Sequence, residues 1–220
     1  MVAVAAYTDA SIESTYIEPV HATHTISFQE TVARASLSVV RVLITTGANR
    51  ASATGFFIRD GLIVTANHAV EDYDEIIVTV NVIGISVPAK VVATDEENDL
   101  ALLEVPMSAP YLSLGDSDNL QMGDLVFTVG HPLGLVDSLA VGYVSTIRRD
   151  TSAGKDFLQL YMAANPGNSG GPVIDESGRV VGVLARVILA KPMGHTGYSL
   201  AVKSSKVKDL LDKYNAPKPN

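Results

Sequence analysis

The sequence predicts an all-β protein, and three observations support this fold class. Aromatic residues make up only 6% of the 220 residues, whereas valine, isoleucine, threonine, alanine and glycine recur throughout the chain. Short apolar runs with the length of β-strands fall into two series of about six. Clusters of glycine, aspartate, asparagine and proline separate these runs, as turns do in antiparallel sheets. Two β-barrels or one β-sandwich would fit this pattern, whereas βαβ units would not.

The first half of the chain begins with an arm and a short helix. Residues 1–28 show no clear hydrophobic period, and we interpret them as an N-terminal arm. Apolar residues near helical spacing predict one helix between Glu30 and Val40. The β-like runs that follow are Val40–Thr45, Gly55–Ile58, Leu62–Thr65, Glu75–Val82, Ala89–Ala93 and Leu100–Val105.

The second half of the chain repeats this organisation and ends in a helix. Beyond Ser205 the apolar residues share one helical face, which predicts a closing helix that ends before Pro217. The second series of β-like runs is Leu125–Val129, Leu139–Ile147, Phe157–Tyr161, Val173–Ile174, Val180–Val187 and Tyr198–Val202.

Composition and charge exclude several classes of function. With 47% apolar residues the chain can bury a sizeable core, and its net charge of −8 argues against nucleic acid as a partner. No apolar run reaches the length of a membrane span. The chain has no cysteine and begins without a basic segment, so we expect a cytoplasmic location, or one within a larger assembly, rather than secretion. We expect no cofactor.

A serine bounded by glycines, Ser169, lies in the segment Pro166–Pro172. Glycine lets the backbone turn sharply there and lets a substrate approach closely. Two N–H groups in such a turn can point at one position, as a developing oxyanion requires. A glycine-rich hairpin turn would explain the same segment without any chemistry. The α/β-hydrolase elbow is excluded, because its acid and histidine follow the serine and too few residues remain here.

A histidine and an aspartate lie upstream at strand ends. His68 follows the run Leu62–Thr65, and Asp99 precedes the run Leu100–Val105. Taken singly, the histidine is more typical of a structural hydrogen bond and the aspartate of a turn or cap. Together with Ser169 they follow the order of the chymotrypsin-type barrels. The chemistry needs all three, because serine is a poor nucleophile until an imidazole oriented by a carboxylate accepts its proton.

Three segments resemble the motif blocks of trypsin-like serine proteases of the HtrA/Deg branch. They are TANHAV around His68, NDLALLEV around Asp99 and NPGNSGGPV around Ser169. The resemblance extends from about Thr31 to Leu211. It implies two six-stranded antiparallel β-barrels, with a short N-terminal and a C-terminal helix and the active site between the barrels. Supporting segments are LGDSD at 114–118, VGHPLG at 129–134 and VGYVS at 141–145.

The resemblance also implies the catalytic roles. His68 is expected to be the general base, Asp99 the acid that orients it, and Ser169 the nucleophile. The oxyanion hole is expected in the segment of Gly167, Asn168 and Ser169, from the backbone amides of its first and last residues.

Substrate contacts are implied at two places. Ala163, six residues before the nucleophile, is expected at the base of the primary pocket, where it offers only apolar surface. The strand with Ala185, Arg186 and Val187 is expected to bind the substrate backbone by β-augmentation, and Tyr198 to narrow the pocket entrance. This arrangement predicts cleavage after small or medium aliphatic residues, with Arg186 able to admit acidic ones if it reaches the pocket.

The expected organisation is an arm at 1–28, a first barrel at 29–107, a second barrel at 108–204 and a helix with a tail at 205–220. The family often carries C-terminal PDZ domains, and none is expected in this chain. The expected partners are polypeptide substrates, with no nucleic acid and no membrane span, and the resemblance suggests a homo-oligomer in the form of a trimer.

The resemblance implies a serine endopeptidase that cleaves unfolded or flexible polypeptides through an acyl-enzyme, and alternatives to this function remain open. One is a maturation protease with a narrow target inside a larger assembly, and another is a barrel that only binds. Other groups carry simpler interpretations: His21 and His24 lie in the arm without further metal ligands, and Glu71–Glu75 is an acidic surface run. His131 is expected to face solvent or to line the rim of the cleft. No metal site is expected.

Overall fold

The computed structural model describes residues 26–150, 155–190 and 194–217, and the side chains of 26–147, 157–186 and 196–217. Within these residues thirteen strands and two α-helices form two antiparallel β-units. The expected arm, with His21 and His24, lies almost wholly outside the described residues. The all-β fold with a helix near each end is confirmed.

The first unit is a seven-stranded sheet with the order β5-β4-β1-β2-β3-β7-β6. Its two edge strands are consecutive in the chain and are separated only by Ala89. The sheet therefore curls round, and its edges meet at a covalent corner instead of a hydrogen-bonded seam. The strands are β1 Val39–Thr46, β2 Asn49–Arg59, β3 Leu62–Ala66, β4 Glu75–Val80, β5 Ile85–Pro88, β6 Lys90–Asp95 and β7 Leu100–Glu104.

The expectation of six closed strands in this unit was wrong in detail. The predicted run Glu75–Val82 ends as a strand at Val80, because a turn follows and exposes Val82 and Ile83. The chain then returns as β5, a four-residue edge strand that ends at Pro88. Proline donates no hydrogen bond, so it is tolerated at a strand end on the edge of a sheet.

The second unit is the expected six-stranded barrel, closed by hydrogen bonds in the order β10-β13-β12-β11-β8-β9. The turn that contains Ser169 lies between β10 and β11. The strands are β8 Leu125–Gly130, β9 Ser138–Asp150, β10 Lys155–Tyr161, β11 Pro172–Asp175, β12 Val180–Ala190 and β13 Gly194–Lys203.

One hydrophobic cluster joins the two units and both helices. It contains Phe56 from β2 and Phe127 from β8, both fully buried, together with Leu210 of the last helix. The first helix, α1, spans Phe28–Ser36 and begins with a capping box between Ser27 and Glu30. Its Phe28 ring meets the Phe127 ring edge to face, with 5.3 Å between the centroids. The predicted helix therefore forms slightly earlier in the chain than expected.

The second helix, α2, spans Ser204–Asn215 and ends before Pro217, close to its predicted bounds. Its buried residues Val207 and Leu210 belong to the shared cluster. The two helices thus pack against the same core as the strands, and this core fixes the edges of the two units that carry His68, Asp99 and Ser169.

Candidate active site

His68 and Asp99 lie at neighbouring strand ends of the first unit. His68 sits in a 3₁₀ helix, Asn67–Ala69, directly after β3, and Asp99 directly precedes β7. These two strands are antiparallel neighbours, with Ala66 opposite Leu100, so both side chains emerge at one edge. Sequence analysis thus placed both residues correctly at adjoining strand ends.

Two hydrogen bonds hold the histidine against the carboxylate. The backbone N–H of His68 donates to Oδ1 of Asp99 over 2.8 Å, and Nδ1 lies 2.7 Å from Oδ2. A third contact, from the N–H of Asn67 to the carbonyl of Asp99, measures 3.1 Å. Asp99 has a φ of +57°, a left-handed conformation that aspartate adopts more readily than most residues. The ring is thereby oriented with Nδ1 on the carboxylate and Nε2 left for another partner.

The electrostatics of this pair favour the ionised carboxylate. The hydrogen bond to Asp99 raises the pKa of His68 above its usual value, although burial partly offsets this. Burial acts to raise the pKa of Asp99, but the bonds from His68 and its charge outweigh that and leave the pKa lowered. Such a pair can accept a proton at Nε2 and stabilise the resulting imidazolium.

The turn that carries Ser169 is fixed by hydrogen bonds on both sides. The N–H of Asn168 donates to the carbonyl of Asn165 over 3.0 Å, and Gly167 between them has a φ of +102°. A positive φ at this position of a tight turn requires glycine. The carbonyl of Pro166 accepts from the N–H of Leu133 over 2.9 Å. Since C=O and N–H of one trans peptide point in opposite directions, the Gly167 N–H points away from Leu133.

The amides of Gly167 and Ser169 are available to a ligand. Among the described residues neither N–H donates a hydrogen bond, whereas the carbonyls of Gly167, Asn168 and Ser169 are all occupied. The carbonyl of Asn168 accepts from the N–H of Gly171 over 2.9 Å. The segment Gly167–Ser169 therefore presents unpaired donors, which suits a site for a negatively charged oxygen.

The serine turn abuts the segment that carries His68. A Cβ atom placed on Gly170 would lie only 2.7 Å from the backbone nitrogen of Ala66, two residues before His68. Ser169 is partly exposed. Within the described residues its hydroxyl makes no hydrogen bond to His68. Such bonds are often long without a substrate and shorten when one binds.

Thr54 joins the serine turn to the first unit, and sequence reasoning missed it. Its N–H donates to the carbonyl of Ser169 over 2.9 Å, and its hydroxyl donates to the carbonyl of Gly167 over 2.6 Å. The same hydroxyl accepts from the N–H of His131 over 3.1 Å. No motif marks Thr54, because its role depends on pairing between units that are distant in sequence.

The expected substrate residues fall into two groups. Ala185 and Arg186 line a groove of about 370 Å³ together with His68 and Asp99. Ala163 is exposed and is not among the lining residues of this groove.

The second group lies beside the end of β10. The N–H of Met162 donates to the carbonyl of Gly197 over 2.9 Å, which sets Ala163 next to the segment of Tyr198. The Tyr198 ring contacts that of Tyr161 edge to face at 5.3 Å. The side chain of Val187 lies outside those that the structure describes.

His131 contradicts its expected position at the surface. It is fully buried below the serine turn, where its Nδ1 accepts from the N–H of Asp137 over 3.3 Å. Burial lowers the pKa of His131 to about 4, and the nearby charges of Asp137 and Arg41 act in opposite directions. The glycine and proline neighbours suggested a loop in solvent, but Thr54 binds the backbone N–H of His131 and the Asn81 side chain contacts its ring.

The described residues, 26–217 with the gaps given above, contain neither a metal-binding cluster nor a membrane-spanning helix. No group of three or more histidine, aspartate or glutamate side chains there is arranged to hold a metal ion. No helix in that part of the chain is long and apolar enough to cross a membrane.

Removal of the Thr54 hydroxyl is expected to destabilise the fold. Thr54→Val keeps the shape but leaves the buried N–H of His131 and the carbonyl of Gly167 without their partner, which costs about 1–3 kcal/mol. The matched control is Thr128→Val, because that buried hydroxyl makes only a 3.5 Å contact with the carbonyl of Val129. Urea unfolding measures both, and equal losses would contradict the role given to Thr54.

His131 is expected to make the fold sensitive to acid. Its pKa is about 4 in the folded chain and about 6.5 when unfolded, so between these values the unfolded state binds more protons. Stability is therefore lost as the pH falls from 6.5 to 4, by on the order of 3 kcal/mol. His131→Asn keeps an acceptor for Asp137 but cannot titrate. Its free energy of unfolding, measured between pH 7.5 and 4, should fall less steeply than that of the unchanged chain; parallel slopes would refute this.

Comparison with known proteins agrees with the geometry. The family model for the trypsin-like peptidase domain matches residues 53–183. A probable periplasmic serine endoprotease, DegP-like, of Chlamydia pneumoniae is 38% identical over 164 residues, which are 72% of this chain and 33% of that protein. Its counterpart in Pseudomonas fulva is 40% identical over 167 residues, 74% of this chain and 34% of that protein. The chain thus spans about a third of the length of these relatives.

The comparison with solved structures gives the same family. The structure of the HtrA-type protease AlgW with a tripeptide has a TM-score of 0.78 and 29% identity, and the match covers 85% of this chain and 63% of that one. The S227A variant of that protease gives the same TM-score with 28% identity, covering 86% of this chain and 63% of that one.

The relatives overturn the expected location. The expectation of a cytoplasmic location, or of one within a larger assembly, is wrong, because these relatives are named periplasmic endoproteases. Lack of cysteine was a poor guide, since an oxidising compartment permits disulfides without requiring them. Expectations about residue roles, domain boundaries and a trimer stay predictions. By its matched domain, its relatives and its fold, this chain belongs to the trypsin-like peptidase family, in the HtrA/Deg branch.

Proposed function

We propose that this chain is a serine endopeptidase in which His68, Asp99 and Ser169 are the catalytic triad. The observation that carries the proposal is the His68–Asp99 pair, with Nδ1 at 2.7 Å from the carboxylate, next to a serine turn with two unpaired amides. Membership of the trypsin-like peptidase family supports it. A periplasmic location is part of the proposal, by analogy with the named relatives.

The proposed reaction proceeds through an acyl-enzyme. Nε2 of His68 accepts the hydroxyl proton of Ser169 while the serine oxygen attacks the peptide carbonyl. The imidazolium, stabilised by Asp99, then gives that proton to the leaving amine as the C–N bond breaks. Water, deprotonated by the same imidazole, attacks the ester, and the serine regains its proton as the acid product leaves.

The backbone amides of Gly167 and Ser169 are proposed to bind the oxyanion. Two features support this. Both N–H groups lack a partner among the described residues, and the bond from Leu133 to the Pro166 carbonyl holds one peptide in the orientation that exposes the Gly167 N–H. Loss of a single donor of this kind usually costs about 10²–10³ in kcat.

Ser169→Ala is expected to abolish labelling by a fluorophosphonate and to lower kcat on casein by on the order of 10⁴–10⁶. The fold should persist, because within the described residues the partly exposed hydroxyl makes no hydrogen bond that the substitution would break. Ser177→Ala, at an exposed serine in another turn, is the matched control and should label fully. Labelling of the Ser169→Ala protein would overturn the assignment. If the chain that keeps Ser169 does not label either, the alternative of a barrel that only binds is favoured.

The proposed substrates are unfolded or flexible polypeptides cut after small or medium aliphatic residues. Ala163 offers no charge to pair with a substrate arginine or lysine, and burial of an unpaired cation is costly. A digest of denatured proteins should therefore show most cuts after Val, Ala, Ile, Leu or Thr, in a graded preference. Most cuts after Arg or Lys would contradict the pocket assignment. A single cut in a single protein would favour the maturation protease instead.

A further inference from the structure

The groove that contains His68 and Asp99 is lined by charges of both signs. Three exposed carboxylates lie in it, those of Glu71, Glu96 and Glu97. The only lysine or arginine among its lining residues is Arg186, which projects from β12 and is itself exposed. The carboxylate of Asp99 adds a fourth negative charge. Arg186 is thus the only permanent positive charge that offsets them within the groove.

Asp99 receives little help from other donors. Among the described residues both hydrogen bonds to its carboxylate come from His68, one from the backbone and one from the ring. The neighbouring wall of the groove is Ala185, which is buried and has no hydroxyl to donate. The side chain of Asp99 is only 18% exposed, so water solvates it incompletely. The ionised state of the Asp99 carboxylate therefore depends on the charged groups around it.

We propose that Arg186 is a positioning residue that sets the charge balance of the His68–Asp99 pair, because its charge favours the ionised carboxylate and the neutral imidazole. This inference rests on the proposed function, because only a neutral imidazole can accept the serine proton. Arg186 forms no ion pair with Asp99 within 4.0 Å. Its positive charge therefore acts on His68 and Asp99 by electrostatic interaction across the groove.

The directions of the charge effects agree with this role. The hydrogen bond that His68 donates to Asp99 is the largest influence on the pKa of His68 and raises it. The charge of Glu71 also raises this pKa, whereas the charge of Arg186 lowers it. Arg186 likewise helps to lower the pKa of Asp99. Arg186 therefore opposes the tendency of the surrounding carboxylates to keep the imidazole protonated.

The experiment measures the titration of His68 directly. The ring signals are followed by NMR from pH 4.5 to 9 in the chain with Ser169→Ala, which cannot digest itself, and are assigned by their loss in His68→Gln. Arg186→Gln is expected to raise the midpoint by about a few tenths of a pH unit, since an exposed charge acts through solvent. Arg186→Glu should raise it about twice as far, and Arg186→Lys should leave it unchanged.

The matched control is Arg50→Gln, which removes one exposed positive charge that does not line the groove. It should leave the midpoint of His68 in place. At about 1 M NaCl, where the screening length is about 3 Å, the difference between Arg186→Gln and the unchanged chain should nearly vanish.

Activity gives the second readout. In the chain with Ser169, the acid limb of the pH profile of kcat/KM should move to higher pH with Arg186→Gln, by the same amount as the midpoint of His68. If Arg186→Gln lowers kcat/KM by the same factor at every pH, Arg186 only binds substrate and the proposal is wrong. A His68 midpoint that does not move in the NMR titration would also overturn the proposal. A shifted midpoint in a chain that hydrolyses nothing would refute the proposed function and leave this inference standing.

Discussion

Thr54 hydrogen-bonds the serine turn of the second unit to β2 of the first, and the geometry of the whole site depends on that junction. Its N–H and hydroxyl hold the carbonyls of Ser169 and Gly167. Because a carbonyl shares its peptide plane with the next N–H, these bonds fix the peptides that carry the N–H groups of Asn168 and Gly170, and so hold the turn in which the Gly167 and Ser169 amides lie. Because His68 and Asp99 belong to the first unit alone, the junction also decides how far the serine lies from the imidazole. One small side chain thus connects fold stability with the catalytic arrangement.

The positions of His68 and Asp99 at strand ends could be predicted from local patterns, whereas residues that act through distant contacts could not. His68 and Asp99 were found because each follows or precedes a recognisable apolar strand, and the structure brings them to 2.7 Å. Thr54 carries no local signal, since the partners of its hydroxyl are more than 70 positions away. Strand β5 was missed because it is short and largely exposed. An exposed strand does not need alternating apolar residues, so its sequence shows no hydrophobic pattern.

His68 and His131 show how surroundings determine the chemistry of one kind of side chain. His68 is nearly half exposed and hydrogen-bonded to a carboxylate, which raises its pKa. His131 is enclosed and receives a backbone N–H, and burial lowers its pKa to about 4. In the proposed mechanism the first exchanges a proton with substrate, whereas near neutral pH the second serves as a neutral acceptor inside the scaffold. Their neighbours in sequence did not distinguish these environments.

The covalent corner between β5 and β6 also bears on aggregation. An open sheet offers unpaired N–H and C=O groups at both edges, to which a strand of another molecule can add. Here the two edges meet at Ala89, whose N–H is already bonded to the carbonyl of Ile76 over 2.9 Å. One edge is only four residues long and ends in Pro88, which has no N–H to offer. The edges of the first sheet therefore offer few backbone groups with which a strand of another molecule could pair.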